Sequence, residues 1–205
     1  MSKVALGLAG AGGVAGTGAF AAYQGGLFSP TEKKETPTVR AVLAQGGYEL
    51  VSTDDKFKAF FTEFKTDNGF MAEVNKHKKD GDNLSSNDDQ GRDALKALCA
   101  SYLNSKDNLS NAIKWCVLRI QDKSLANSKT WRNIATGDTD KDSWKTAFDS
   151  AREGMIKIGV TGIESNTNSD TGYSVLKNWC SENKKRPVST ENKSLESNVI
   201  SWCVS

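Results

Sequence analysis

The sequence predicts an all-α protein: an N-terminal transmembrane helix followed by a helical domain of two related multi-helix units. Three observations carry this prediction. Val4–Phe28 is uncharged and dominated by Ala, Gly, Val, Leu and Phe. Beyond it, apolar residues recur at i, i+3, i+4 and i+7, the spacing of a single helix face. Three of the four cysteines directly follow a tryptophan, as Trp115-Cys116, Trp179-Cys180 and Trp202-Cys203, and that clustering exposes an internal repeat.

Val4–Phe28 spans 25 residues and is broken only by Thr17, Tyr23 and Gln24. A bilayer-spanning helix needs about 20 mostly apolar residues, so residues 1–28 read as a membrane anchor or signal segment. Lys3 and the amino terminus place positive charge before it, and the charges of Glu32-Lys33-Lys34-Glu35 cancel beyond it. The positive-inside bias keeps that N-terminus in the cytoplasm and exports the rest. The expected location is the cell membrane, single-pass, with the C-terminal domain extracellular. Gly12 and Gly16 form a GxxxG of the kind that packs helices in lipid, though so Gly-rich a stretch supplies that match by composition. Ala19-Phe20-Ala21 resembles a processing site after an apolar core, and the alternative is secretion after signal cleavage. Apolar character running on to Phe28 favours the uncleaved anchor. Gly10-Ala11-Gly12-Gly13-Val14-Ala15 also fits a dinucleotide-binding pattern, with Glu32 at the ribose position. Glu32 sits between Pro30 and Pro37, and no series of β-branched strands follows, so no cofactor is expected.

Residues 29–47 carry Pro30, Pro37 and Gly46-Gly47 and read as a linker. Helical unit 1 is expected over 48–124. Thr53 is an N-cap followed by Asp54 and Asp55, acids that suit the positive end of the helix dipole. Phe57, Phe60, Phe61 and Phe64 then share one face. A second helix starts near Asn87-Asp88-Asp89 and buries Leu95, Leu98, Cys99, Tyr102 and Leu103. After a polar turn over Asn104–Asn108, a third carries Leu109, Ile113, Cys116, Val117 and Ile120.

Helical unit 2 is expected over 125–205, because the pattern recurs there. Trp144-Lys145-Thr146-Ala147-Phe148 matches Phe57-Lys58-Ala59-Phe60-Phe61 at an offset of 87. Leu176-Lys177-Asn178-Trp179-Cys180 matches Leu95-Lys96-Ala97-Leu98-Cys99 at 81, and Trp202-Cys203-Val204 matches Trp115-Cys116-Val117 at 87. Thr139, with Asp140 and Asp142, takes the capping role. Trp144, Phe148, Ala151 and Met155 continue one stripe, Tyr173, Leu176 and Cys180 mark the next helix, and Leu195, Val199, Trp202 and Cys203 the last. Lys157-Ile158-Gly159-Val160 reads as a helix end, with a short strand as the alternative. Length changes confined to loops between conserved stripes are what a duplicated helical unit should show. Asp80–Asp89 and Glu164–Thr171 read as exposed, tolerant loops.

Composition narrows the chemistry. Net charge is +2, from 27 basic and 25 acidic residues spread along the chain, so there is no electrostatic footprint for nucleic acid. The chain has no C-x-x-C, and its single histidine, His77, lies far in sequence from every cysteine. A zinc site would need all four cysteines from distant turns. An even cysteine count in an exported domain favours disulfides. Four cysteines permit three pairings, and the repeat favours Cys99–Cys116 and Cys180–Cys203. In a cytoplasmic chain the same residues would be four buried thiols beside tryptophan. His77 lies in a Lys-rich polar stretch and reads as a surface residue. The sequence presents no nucleophile–base pair and no metal-ligand spacing, so catalytic and metal residues are predicted as none.

A start of Met1-Ser2-Lys3-Val4-Ala5-Leu6-Gly7, the Gly/Ala-rich segment, Trp144 about 60 residues from the end, Leu176-Lys177-Asn178-Trp179-Cys180 and a final Trp202-Cys203-Val204 form one combination. It resembles the uncharacterised paralogous proteins of haemotropic mycoplasmas, along the whole chain. The resemblance implies a variable surface antigen and no catalytic residue. The expected function is that of a non-enzymatic, membrane-anchored surface protein with an antigenic or host-interaction role. Its partners would be the membrane, through the N-terminal helix, and a host protein or antibody. An exported hydrolase with an unrecognised site is the alternative.

Overall fold

The computed structural model describes residues 36–126, 128–135 and 140–205. The predicted transmembrane helix, its GxxxG, the processing site and the glycine-rich pattern lie outside these residues. Among the described residues, no helix is long and apolar enough to cross a membrane. The described part is all-α, with eight α-helices joined by turns and three isolated β-bridges.

The linker expected over 29–47 contains a helix instead, α1 (Val39–Gln45). The Thr38 hydroxyl accepts from the Ala41 N–H at 3.4 Å, and Val39 and Leu43 turn one buried face inward. The Val39 N–H donates to the Ser105 carbonyl at 2.8 Å. Val39, Val42 and Leu43 fall at i, i+3 and i+4, but seven residues are too short a stretch for that spacing to stand out beside Pro37 and Gly46-Gly47.

Thr53 caps α2 (Asp54–Phe64) through the Lys56 N–H, with Asp54 and Asp55 in the first turn. Phe57, Phe60 and Phe61 are buried and Phe64 partly so. The Asp67 carboxylate then accepts from the Gly69 and Phe70 N–H groups and starts a new helix, α3 (Asn68–Val74), continued by a 3-10 turn over Asn75–His77. Asn87 caps α4 (Asp88–Asn104), which buries Leu95, Leu98, Cys99, Tyr102 and Leu103 as the spacing predicts. The expected loop Asp80–Asp89 is therefore shorter at its far end, and it is pinned by Leu84, which is buried. α5 (Leu109–Cys116) ends at Cys116, and Val117 is extended. These elements and α1 enclose a first core, in which Phe70 meets Trp115 edge-on at 5.4 Å.

Ile120 belongs to neither α5 nor the first core. It lies in a 3-10 turn over Ile120–Asp122 and is buried in the second core. The boundary between the cores thus falls near Leu118, which packs against both, rather than after residue 124. Thr139, expected as a cap, lies outside the described residues. α6 (Lys141–Lys157) follows Asp140, which makes no side-chain cap bond. It ends at Lys157, so Ile158–Val160 form no strand. Asn168 caps α7 (Ser169–Asn183) through the Thr171 N–H, and Asp170 pairs with Lys145 at 2.6 Å. The expected loop Glu164–Thr171 therefore already contains the helix start. α8 (Lys193–Cys203) closes the second core with Val199 and Cys203.

The two cores repeat the same contacts. Phe61 of α2 lies against Gly91 of α4, and Phe148 of α6 lies against Gly172 of α7; a Cβ at either glycine would overlap the ring. The Val51 N–H donates to the Cys116 carbonyl at 2.9 Å, and the Leu118 N–H to the Glu49 carbonyl at 2.7 Å. Correspondingly, the Arg132 N–H donates to the Cys203 carbonyl and the Ser205 N–H to the Thr130 carbonyl, both at 2.9 Å. Leu50 bridges Val117 as Trp131 bridges Val204. They differ in that α2 and α3 stand where α6 is continuous. Residues 37–205 form one compact unit.

Candidate functional site

The four predicted cysteines come together in two pairs. Cys99 on α4 and Cys116 at the end of α5 have sulfurs 2.04 Å apart; Cys180 on α7 and Cys203 at the end of α8 have sulfurs 2.02 Å apart. Each pair joins the last two helices of its set. Both pairs are buried in their cores: Trp115 lies in the first, and in the second Trp179 and Trp202 meet with centroids 4.9 Å apart. Trp202 is only partly buried, with its indole over Gly154 of α6. His77 is half-buried in the turn after α3. Among the described residues, no group of three or more His, Cys, Asp or Glu is placed to hold a metal.

Arg119 was not singled out in the sequence, yet it is the most heavily engaged charge in the fold. It sits between the two cores and is 8% exposed. Its guanidinium donates to Glu63 at 2.5 and 2.7 Å and to Asp122 at 2.8 and 3.0 Å, and lies 4.6 Å from the Phe60 ring centroid. Burial disfavours the Arg119 cation, but the hydrogen bonds to Glu63 and Asp122 outweigh it and hold the pKa above its ordinary value. The same bond from Arg119 holds the Glu63 carboxyl below its ordinary range. Beside it, Lys123 pairs with Glu49 at 3.0 Å and with Glu196 at 2.8 Å, so one ammonium bridges the two sets. With carboxylates on both sides, the cations of this junction are paired, and the junction joins the two sets.

One concave site lies on the second set. A cleft of about 250 Å³ is lined by Lys129, Arg132 and the hydroxyl residues Thr146, Ser150, Ser201 and Ser205, with Ala147, Trp202 and Val204 as its apolar surface. Arg132 reaches it from the short extended segment paired with Cys203–Ser205. One Nη donates to the Ser143 hydroxyl at 2.5 Å, and the guanidinium lies 5.9 Å from the Trp144 ring centroid. Its Nε is buried and makes no hydrogen bond to the described residues. Burial pushes the Arg132 pKa down, the reverse of Arg119. The Thr146 and Ser150 hydroxyls donate to carbonyls one turn back in α6 and keep lone pairs free. Sequence reasoning missed this cleft because its residues come from three separated segments. No protein family, curated protein or solved structure matches the chain.

Proposed function

We propose that this chain is an exported, membrane-anchored surface protein built from two copies of one helical unit, and that it acts by recognition rather than catalysis. The observation that carries the reading is the pair of cystines, one in each helical set, at corresponding places. Structural disulfides belong to oxidising, extracytoplasmic compartments. The repeated Phe–Gly contacts and bridge hydrogen bonds support duplication of the unit. The uncharged Val4–Phe28 supplies the anchor of a single-pass protein whose C-terminal domain faces outward. The resemblance to paralogous proteins of haemotropic mycoplasmas points the same way, toward an antigenic or host-interaction role with a host protein or antibody as partner.

Protease treatment of intact cells, combined with detergent partitioning, tests this. The expected result is a detergent-phase protein cleaved in its polar loops while cytosolic markers survive. A wholly cytosolic protein with four free thiols would overturn the reading. N-terminal sequencing separates the anchored form from one released after Ala21.

A further inference from the structure

We propose that the cleft between α6 and the end of α8 binds a small oxyanion, a carboxylate or a phosphate group, held by Lys129 and Arg132 beside the indole of Trp202. The two helical sets are each other's control. In the first set, the position whose N–H donates to the second cysteine's carbonyl is Val51, an ordinary core residue; in the second it is Arg132. A buried apolar side chain is thus replaced by a cation. At the offset of 87, Ala147 stands where the first set has Phe60. The Phe60 ring is 1% exposed, fills its side of the core and carries the Arg119 guanidinium above it. With alanine there, the second set has a cleft, and Ala147 lines it.

Among the described residues, no ion pair is made by the cations of that cleft. Arg119 has Glu63 and Asp122, and Arg92 is within ion-pair reach of Asp54, Asp89 and Asp93. Arg132, by contrast, has no carboxylate among the described residues within 4.0 Å, and nor does the exposed Lys129. Taking a cation out of water without a counter-charge is costly unless something neutralises it. An oxyanion entering the cleft does so and gains charge-assisted hydrogen bonds. The Ser201 hydroxyl is placed to donate to the anion, whereas the Thr146 and Ser150 hydroxyls have given their protons to α6 carbonyls and add none; the Trp202 face accepts an apolar group attached to the anion. The volume fits a ligand smaller than the usual drug-sized occupant.

Titrating the full-length protein in detergent with inorganic phosphate, and separately with acetate at matched ionic strength, tests the site by calorimetry and tryptophan fluorescence. A saturable response with a Kd of about 1 mM or tighter is expected for at least one anion, and the arm that saturates distinguishes phosphate from carboxylate. Arg132→Gln should weaken it by about tenfold or more, and Lys129→Gln, at an exposed position that leaves the fold alone, by about threefold. Ala147→Phe, which restores the first set's residue, should abolish it. No saturable response to either anion, or equal affinity in the native, Lys129→Gln and Ala147→Phe proteins, overturns the proposal.

Discussion

Tryptophan contributes unequally to this fold. Trp144 is 1% exposed, and its indole N–H donates to the Asn133 carbonyl at 3.0 Å, so its ring and its polar atom are both accommodated. Trp144→Ala removes a full aromatic from the second core and should cost about 3–5 kcal/mol in denaturant unfolding. Trp202 packs on Trp179 and Gly154 but is partly exposed, so Trp202→Ala should cost less, about 1–3 kcal/mol. Gly172→Ala sets two effects against each other. Alanine favours an α-helix by about 1 kcal/mol over glycine. The added Cβ would overlap the Phe148 ring, which is fully buried and cannot swing away. Overpacking costs about 1–3 kcal/mol, so a net loss in thermal stability is expected there and likewise at Gly91. An unchanged or raised melting temperature would show that the rings have room to shift.

Helix pairs are held by what lies at their ends. α4 and α5 are joined by Cys99–Cys116 over a separation of 17 residues, and α7 and α8 by Cys180–Cys203 over 23. Loops of those sizes imply about 3 kcal/mol each in the chain-entropy account. Replacing both members of one pair by alanine should lower unfolding free energy by about that amount, read from urea midpoints. Because the two loops are similar in length, the two double variants should lose similar amounts. Asn168→Ala removes the cap of α7 and should cost about 1 kcal/mol, although its neighbourhood reads in the sequence as a tolerant loop. The break between α2 and α3 has a local cause, since Asp67 caps a new helix where α6 runs on.

Across the whole molecule, stability should depend on pH through carboxylates held below their ordinary range. The Arg119 hydrogen bond does this for Glu63, and lysine or arginine partners do it for Asp54, Asp88 and Asp170. A carboxyl whose folded pKa lies below its unfolded value, near about 4.3 for Glu, stabilises fully above that value. Its contribution disappears as pH falls through the folded pKa. For Glu63, half exposed and screened by solvent, the effect is discounted to about 1 kcal/mol. The stability difference between native protein and Glu63→Gln should therefore be flat from neutral pH to about pH 5 and shrink below it. A difference that grows on acidification would mean that Glu63 does not clamp Arg119. Tyr102 titrates at the other extreme: burial, then its bond to Glu73 at 3.1 Å, pushes its phenol up to about 12.

What could be read along the chain was whatever repeats at short range. Helix faces such as Phe57–Phe61 and Leu95–Leu103, the cap at Thr53, the helix start near Asn87 and the cysteine partners follow from spacing and from the repeated motifs. The Gly91-Leu95-Cys99 and Gly172-Leu176-Cys180 series was legible on the same principle, but a glycine carries no hydrophobic signal and passes unnoticed until a ring is seen against it. The helix α1, the burial of Ile120 in the second core, the Arg119 junction and the cleft at Arg132 were not legible. Each depends on residues far apart in sequence meeting in space. Arginine has the same appearance in a sequence whether two carboxylates close on it, as at Arg119, or none among the described residues does, as at Arg132. That difference is electrostatic and arises only when packing has chosen its neighbours.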